Sequence, residues 1–202
     1  MWIRLSTCAL AAIAVLTPAC SRDAQPLSPS LASNIGDSSG DATNAGPLAA
    51  RVAGGIERVV MMFDACDPAS FNAVLGPDGC ARSGGVTFQH FIDLLTKHQA
   101  IGSWKFSPGV LTMNAGQTLV AINNGGETHT FTEVDEFGGG IVAGLNQLSG
   151  LTTVAPECTQ LQGSDFLPPG ARSSDPEDEA GVEKYQCCIH PWMQAEIRIA
   201  EK

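Results

Sequence analysis

The chain has 202 residues, with 11 Lys and Arg against 21 Asp and Glu, a formal net charge of -10 at pH 7. That balance argues against nucleic acid or an anionic lipid surface as partner. It suits a basic partner or plain solubility.

Arg4 gives the chain a positive start, and Cys8 to Leu16 is an apolar run too short to span a bilayer. Thr17-Pro-Ala19 then offers small residues for cleavage, so residues 1–19 are predicted to be a signal peptide. Cys20, directly after Ala19, also resembles the lipid-accepting cysteine of bacterial lipoproteins, although Pro18 is unusual there. Lipidation at Cys20 and simple cleavage both stand as alternatives. Either one predicts an exported protein, in the periplasm or at the cell surface of a bacterium. Loss of the signal leaves ten basic residues and a charge of about -11. No later segment is long and apolar enough to cross a membrane.

Residues 20–50 are rich in Ser, Ala, Gly, Asp, Asn and Pro and poor in large apolar side chains. Such a stretch buries too little surface to fold and reads as a disordered tether. About 30 flexible residues reach roughly 30 Å, enough to hold a lipid-anchored domain just off a membrane.

Residues 51–103 read as a helical extension. Asp67 and Pro68 suit the cap and first position of a short helix to Leu75. Thr87 suits the cap of a second, running to about Gln99, in which Phe88, Phe91, Ile92 and Leu95 form one apolar stripe. No strand-like alternation is evident in this zone. Cys66 and Cys80 bracket the first helix and are expected to form a disulfide worth roughly 3 kcal/mol by chain entropy.

From residue 104 to 202 the pattern changes to short strands between Gly, Pro and Asn turns. Trp104 with Phe106, Val110 to Met113, Leu119 to Ile122 and Thr128 to Val134 carry it, with a turn at Ala115-Gly-Gln. Ala195, Ile197 and Ile199 alternate with Glu196 and Arg198 as a last strand with one buried face. Residues 138–170 interrupt the pattern as a long insertion, mostly loop, with a short helix near Val142 to Leu148. The acidic run Asp175 to Glu179 reads as an exposed loop. The predicted fold is mainly β, an antiparallel Greek-key sandwich with a short helical N-terminal extension and a long loop insertion.

The stretch that carries chemistry is Tyr185-Gln-Cys187-Cys188-Ile-His190-Pro-Trp-Met193. A thiol, an imidazole and a thioether recur there at three-residue steps, and these are soft and borderline ligands suited to copper. A second histidine is needed, and His129 is the candidate. Period-two alternation from Tyr185 points Cys187 inward and Cys188 outward. Beyond Cys8 and Cys20, five cysteines remain, so two disulfides leave one thiol over, and a copper ligand accounts for it. His90 and His98, eight residues apart on one helix, read as surface residues. Structural cysteines with a merely packed His190 and Met193 remain the plain alternative.

These residues resemble the cupredoxins, the small blue copper proteins, over residues 104–201. The resemblance runs from Phe106-Ser-Pro through Leu111 to Leu119 around Ala115-Gly116. It continues with Ala121-Ile-Asn123-Asn-Gly-Gly-Glu-Thr-His129-Thr-Phe131, resumes at Leu167-Pro-Pro-Gly170, and ends with Cys187 to Met193. The Cys-x-x-His-x-x-Met loop is similar to the short loop of amicyanin and plastocyanin-like proteins. The resemblance implies one type 1 copper ion, with His129, Cys187 and His190 as trigonal ligands and Met193 as the long axial one.

It further implies an electron carrier that meets its partner at the exposed edge of His190, ringed by Pro191 and Trp192. A basic cytochrome would suit the acidic charge. Three departures bear on the site. Cys188 stands where a small polar residue is usual, and either pairs, with Cys158 in the insertion as the natural mate, or stays free. A vicinal bond to Cys187 would instead destroy the site. Thr130 stands where many members carry an Asn that stiffens the cysteine loop, and Ala195 replaces a common glycine. Alternative functions are copper storage, delivery or sensing, and a metal-free interaction domain. Four histidines are too few for the extra copper centres of multicopper oxidases or nitrite reductases, so enzymatic activity is not expected.

Overall fold

Residues 56–202 are described by a computed structural model. The expected signal peptide, the lipid-accepting Cys20, the tether and the first residues of the extension lie outside them. The first element is one that residue patterning did not reveal. β1 (Glu57–Phe63) buries Val60 and Met62 completely. Its stretch Val59 to Phe63 is apolar without interruption, so it lacks the period-two signal of a half-exposed strand.

α1 (Pro68–Leu75) and α2 (Phe88–His98) follow, as their capping residues predict. Asp67 accepts the Ser70 N–H at 2.9 Å, and Thr87 accepts that of His90 at 3.3 Å. A disulfide joins Cys66 to Cys80 around α1. The strands continue with β2 (Lys105–Ser107), β3 (Val110–Asn114), β4 (Gln117–Asn123), β5 (His129–Thr130) and β6 (Thr132–Val134). The expected single strand over residues 128–134 is thus broken at Phe131.

The insertion holds α3 (Ala143–Ser149) and two single turns of tighter helix, Pro156–Thr159 and Gly163–Asp165. β7 (Phe166–Leu167), β8 (Arg172–Glu177), β9 (Gly181–Gln186) and β10 (Gln194–Ala200) complete the chain.

Two four-stranded sheets face each other, in the orders β2-β1-β4-β8 and β3-β10-β9-β6, and β5 pairs with β7 apart from them. The sandwich is mixed rather than antiparallel, because β1 runs parallel to β4 and β3 runs parallel to β10. Met62, Phe106, Leu111, Leu119, Ile197 and Ile199 belong to the core between the layers.

Two further expectations are corrected. β1 sits between β2 and β4, so residues 51–103 are not a helical appendage to a sandwich beginning at 104. And most of the acidic stretch is strand rather than loop. β8 pairs with β4 alone, and such an edge position tolerates Pro176. Glu177 at its end is buried.

The insertion folds back on the loop after β9. Cys158 is bonded to Cys188, and with Val134 and Ala155 they form a second small apolar cluster. Cys188 does leave the main core, yet it is buried, because the insertion covers it. Gly140 makes this possible. A Cβ there would collide with the Cys188 carbonyl, which accepts the Ile141 N–H at 2.7 Å.

Candidate metal centre

The loop between β9 and β10 is closed by its own backbone. Cys187 N–H donates to the Met193 carbonyl at 3.0 Å, and Met193 N–H to the His190 carbonyl at 2.9 Å. This folds seven residues into a tight turn and directs Cys187 and His190 to one side. β5, paired with β7 apart from the two larger sheets, brings His129 to the cluster in register with Leu167. Both imidazoles turn Nδ1 toward the thiol. Cys187 Sγ lies 3.7 Å from His129 Nδ1 and 3.8 Å from His190 Nδ1. The three groups are buried, and so is Met193 at the end of the loop.

The sulfur accepts two backbone N–H groups, from Thr130 and His190, each at 3.4 Å. Thr130 has a second role. Its hydroxyl accepts the Cys188 N–H at 2.8 Å, tying β5 to the cysteine loop. A threonine therefore supplies the stiffening that the resemblance leads one to expect from asparagine.

Two carboxylates stand behind the histidines, and sequence reasoning missed both. Asp64, just past β1, lies 3.0 Å from His129 Nε2. The same oxygen accepts the N–H groups of Gly126 and Glu127 at 2.7 and 2.9 Å. Gly125 leaves room for this carboxylate, since a Cβ there would overlap it. Glu127 lies 3.7 Å from His190 Nε2 and accepts the indole N–H of Trp104 with the same oxygen.

Burial opposes ionisation of Asp64, but the bonds from His129 and the two backbone amides outweigh it and hold the carboxyl at about 2. Burial likewise pushes His129 down, but Asp64 and Cys187 bring it up to about 9. The Cys187 thiol is raised by burial and lowered more strongly by both imidazoles, so it lies well below its ordinary value. The site is thus electrostatically prepared for a thiolate beside a cation.

The spacing tests whether an ion fits. A borderline first-row ion binds thiolate sulfur at about 2.3 Å and imidazole nitrogen at about 2.0–2.1 Å. Legs of roughly that length opened to a trigonal angle separate S from N by about 3.8 Å, whereas a tetrahedral angle gives about 3.6 Å. The observed 3.7 and 3.8 Å lie at this spacing, so an ion of that size fits between the donors. Two imidazoles and a thiolate, with a thioether on the same loop, are the donors of a type 1 copper site.

Two four-stranded sheets and a buried His129–Cys187–His190 cluster are the sandwich and the donor set that the resemblance to the cupredoxins implies.

Among solved structures, the chain is similar to a novel purple cupredoxin from Nitrosopumilus maritimus, at 25% identity over 50% of this chain and 86% of that one, with a TM-score of 0.36. It is similar to a reduced amicyanin variant at 22% identity, over 50% of this chain and 77% of that one, with a TM-score of 0.34. A copper(I) form of another amicyanin variant matches at 21% identity, over 47% and 72% of the two chains, with a TM-score of 0.33. No family model and no curated protein matches the chain.

The domain departs from expectation at its surface. His190 is only 3% exposed, so its edge is not open to a partner. Phe91 of α2 and Trp192 pack edge-on against its ring, at 6.3 and 5.5 Å between centroids. Phe71 of α1 in turn packs on Phe91 and Trp104. The two helices therefore lie over the metal end of the sandwich. His90 and His98 are exposed on α2 and take no part in the cluster.

Proposed function

We propose that the chain is an exported electron carrier holding one copper ion through His129, Cys187, His190 and Met193. The convergence of both imidazole nitrogens on the Cys187 sulfur, at 3.7 and 3.8 Å, is the observation that carries this reading. Copper supplies a one-electron couple between Cu(II) and Cu(I). The chain's own residues hold the donors in an arrangement that suits both states, so little has to move when the electron does. β5 and the closed loop fix the donors, the two N–H groups on Cys187 temper the thiolate, and the aromatic cover excludes water.

Burial of His190 favours a carrier over a storage or delivery module. An ion that must exchange needs a route to an outside ligand, and α2 with Phe91 closes the nearest one. The redox partner suited to this chain is a protein with a basic face, such as a small cytochrome, which the net charge of -10 would attract through encounter rate. Lipid attachment at Cys20 would place the carrier at a membrane surface. Two disulfides support an oxidising compartment.

The test is to produce the full chain in an oxidising compartment, add Cu(II) and record the visible spectrum. An intense thiolate-to-copper band that is lost in Cys187→Ser, with copper retained against a Cu(I) chelator through repeated redox cycles, supports the carrier. A band that forms while the chelator strips the copper turns the reading toward delivery. Absence of the band, with Cys187 in a disulfide, overturns both.

A further inference from the structure

We propose that Asp64 and Glu127 are positioning residues that bias the site toward Cu(II) and give it a low reduction potential. The proposal rests on the copper reading above and deepens it, because it assigns roles to two side chains outside the ligand set.

Both imidazoles direct Nδ1 to Cys187. When Nδ1 is the ligand atom, Nε2 carries the proton and becomes a buried donor in need of an acceptor. Asp64 meets that need for His129 at 3.0 Å. Glu127 stands beside the Nε2 of His190 at 3.7 Å, held there by the Trp104 indole. Asp64 therefore fixes the His129 ring in tautomer and tilt from the side opposite the ion, whereas Glu127, beyond hydrogen-bond distance, acts on His190 through its charge.

Among the described residues, no Lys or Arg forms an ion pair with Asp64 or Glu127, and their ionic partners are the two histidines alone. Asp64 is held instead by the N–H groups of Gly126, Glu127 and Cys66, which satisfy its oxygens without cancelling its charge. Two buried acceptors one imidazole ring away from an ion stabilise the higher charge more than the lower one, and low local dielectric strengthens the effect. Reduction brings one electron from the donor to Cu(II) and gives Cu(I), with no bond made and no proton required. The potential is therefore where these side chains register.

The arrangement also accounts for Gly125-Gly126. The first glycine leaves space for the Asp64 carboxylate, and a Cβ on the second would stand 2.6 Å from Cys66 Sγ. Small residues there let the end of β1 approach the segment before His129.

The experiment measures the reduction potential of the copper-loaded full chain beside Asp64→Asn and Glu127→Gln, with the exposed Asp93→Asn on α2 as control. Each buried variant is expected to shift the Cu(I)/Cu(II) ratio about tenfold toward Cu(I), the lower edge of the usual effect of a partner behind a metal ligand. For one electron, tenfold is about 59 mV upward. The thiolate band should persist, and affinity for Cu(II) should fall while that for Cu(I), read by chelator competition, holds.

Asp93→Asn should leave the potential in place. Unchanged or lowered potentials, or equal loss of affinity for both oxidation states, would overturn the proposal and leave the carboxylates as structural supports. If Asp64→Asn does not accumulate, Glu127→Gln decides alone, because its amide oxygen still accepts from Trp104. Failure of the copper reading itself is separate, since the unsubstituted chain would then show no thiolate band.

Discussion

Phe91 of α2 meets His190 edge-on, with ring centroids 6.3 Å apart, and this contact separates the histidine of the copper loop from solvent. An apolar cavity of about 190 Å³ lies beside it, lined by Phe71, Phe88, Phe91, Leu145 and Ile189, with Glu127 and His190 at its wall. Access to the proposed ion therefore depends on how tightly α1 and α2 pack.

Phe91→Ala should enlarge that cavity. Removal of a buried aromatic ring costs about 3–5 kcal/mol in stability. The loss of cover should also speed removal of copper by a chelator, while the thiolate band stays near its original position because no donor has changed. Denaturant titration and stopped-flow chelation measure the two effects. A variant that loses stability and releases copper no faster would show that the helix supports the fold without guarding the site.

The Cys158–Cys188 bond closes 30 residues of chain and ties the insertion to the residue next to Cys187. The double variant Cys158→Ser, Cys188→Ser should lose roughly 3–4 kcal/mol of stability by the chain-entropy relation. It should keep the thiolate band, since Cys187 is the free thiol among the described residues. Peptide mapping of the oxidised protein should return Cys66–Cys80 and Cys158–Cys188 with Cys187 unmodified. Finding Cys187 bonded to Cys188 would contradict the structure directly.

Glu177 gives a pH dependence away from the metal end. Burial, together with repulsion from Glu183 and Asp175, raises its carboxyl to about 7. The folded state thus binds a proton more tightly than the unfolded chain. The resulting stability is present below the ordinary carboxylate value and lost as pH rises through about 7. Glu177→Gln keeps an acceptor for the Tyr185 hydroxyl and removes the titrating group. The variant should match the parent near pH 4 and exceed it at pH 8 by about 1 kcal/mol, after allowance for solvent screening. Urea titrations at the two pH values read the difference, and a variant less stable at pH 8 would reverse the sign.

The parts of the structure that were legible in the sequence are those whose signal is local. Asp67, Pro68 and Thr87 mark helix starts because capping uses atoms within three residues. The order Cys187, His190, Met193 shows a site because a single turn carries all three. β1 was hidden because its apolar run is continuous, and β8 because Asp175, Pro176 and Glu177 mimic a solvated loop.

Asp64 and Glu127 were invisible for a different reason. Asp64 reaches His129 across 65 residues of chain, and only the parallel pairing of β1 with β4 brings them together. The cover over His190 is likewise a product of tertiary packing. α2 shows an apolar stripe in its sequence, and nothing in the stripe says which surface it covers.

The most direct measurement is the electron paramagnetic resonance spectrum of the Cu(II)-loaded full chain beside that of Cys187→Ser. A trigonal thiolate site delocalises the unpaired electron onto sulfur, so the account predicts a compressed copper hyperfine splitting that widens to an ordinary tetragonal value in the variant. An ordinary splitting in both proteins, unchanged by loss of the Cys187 sulfur, would contradict it.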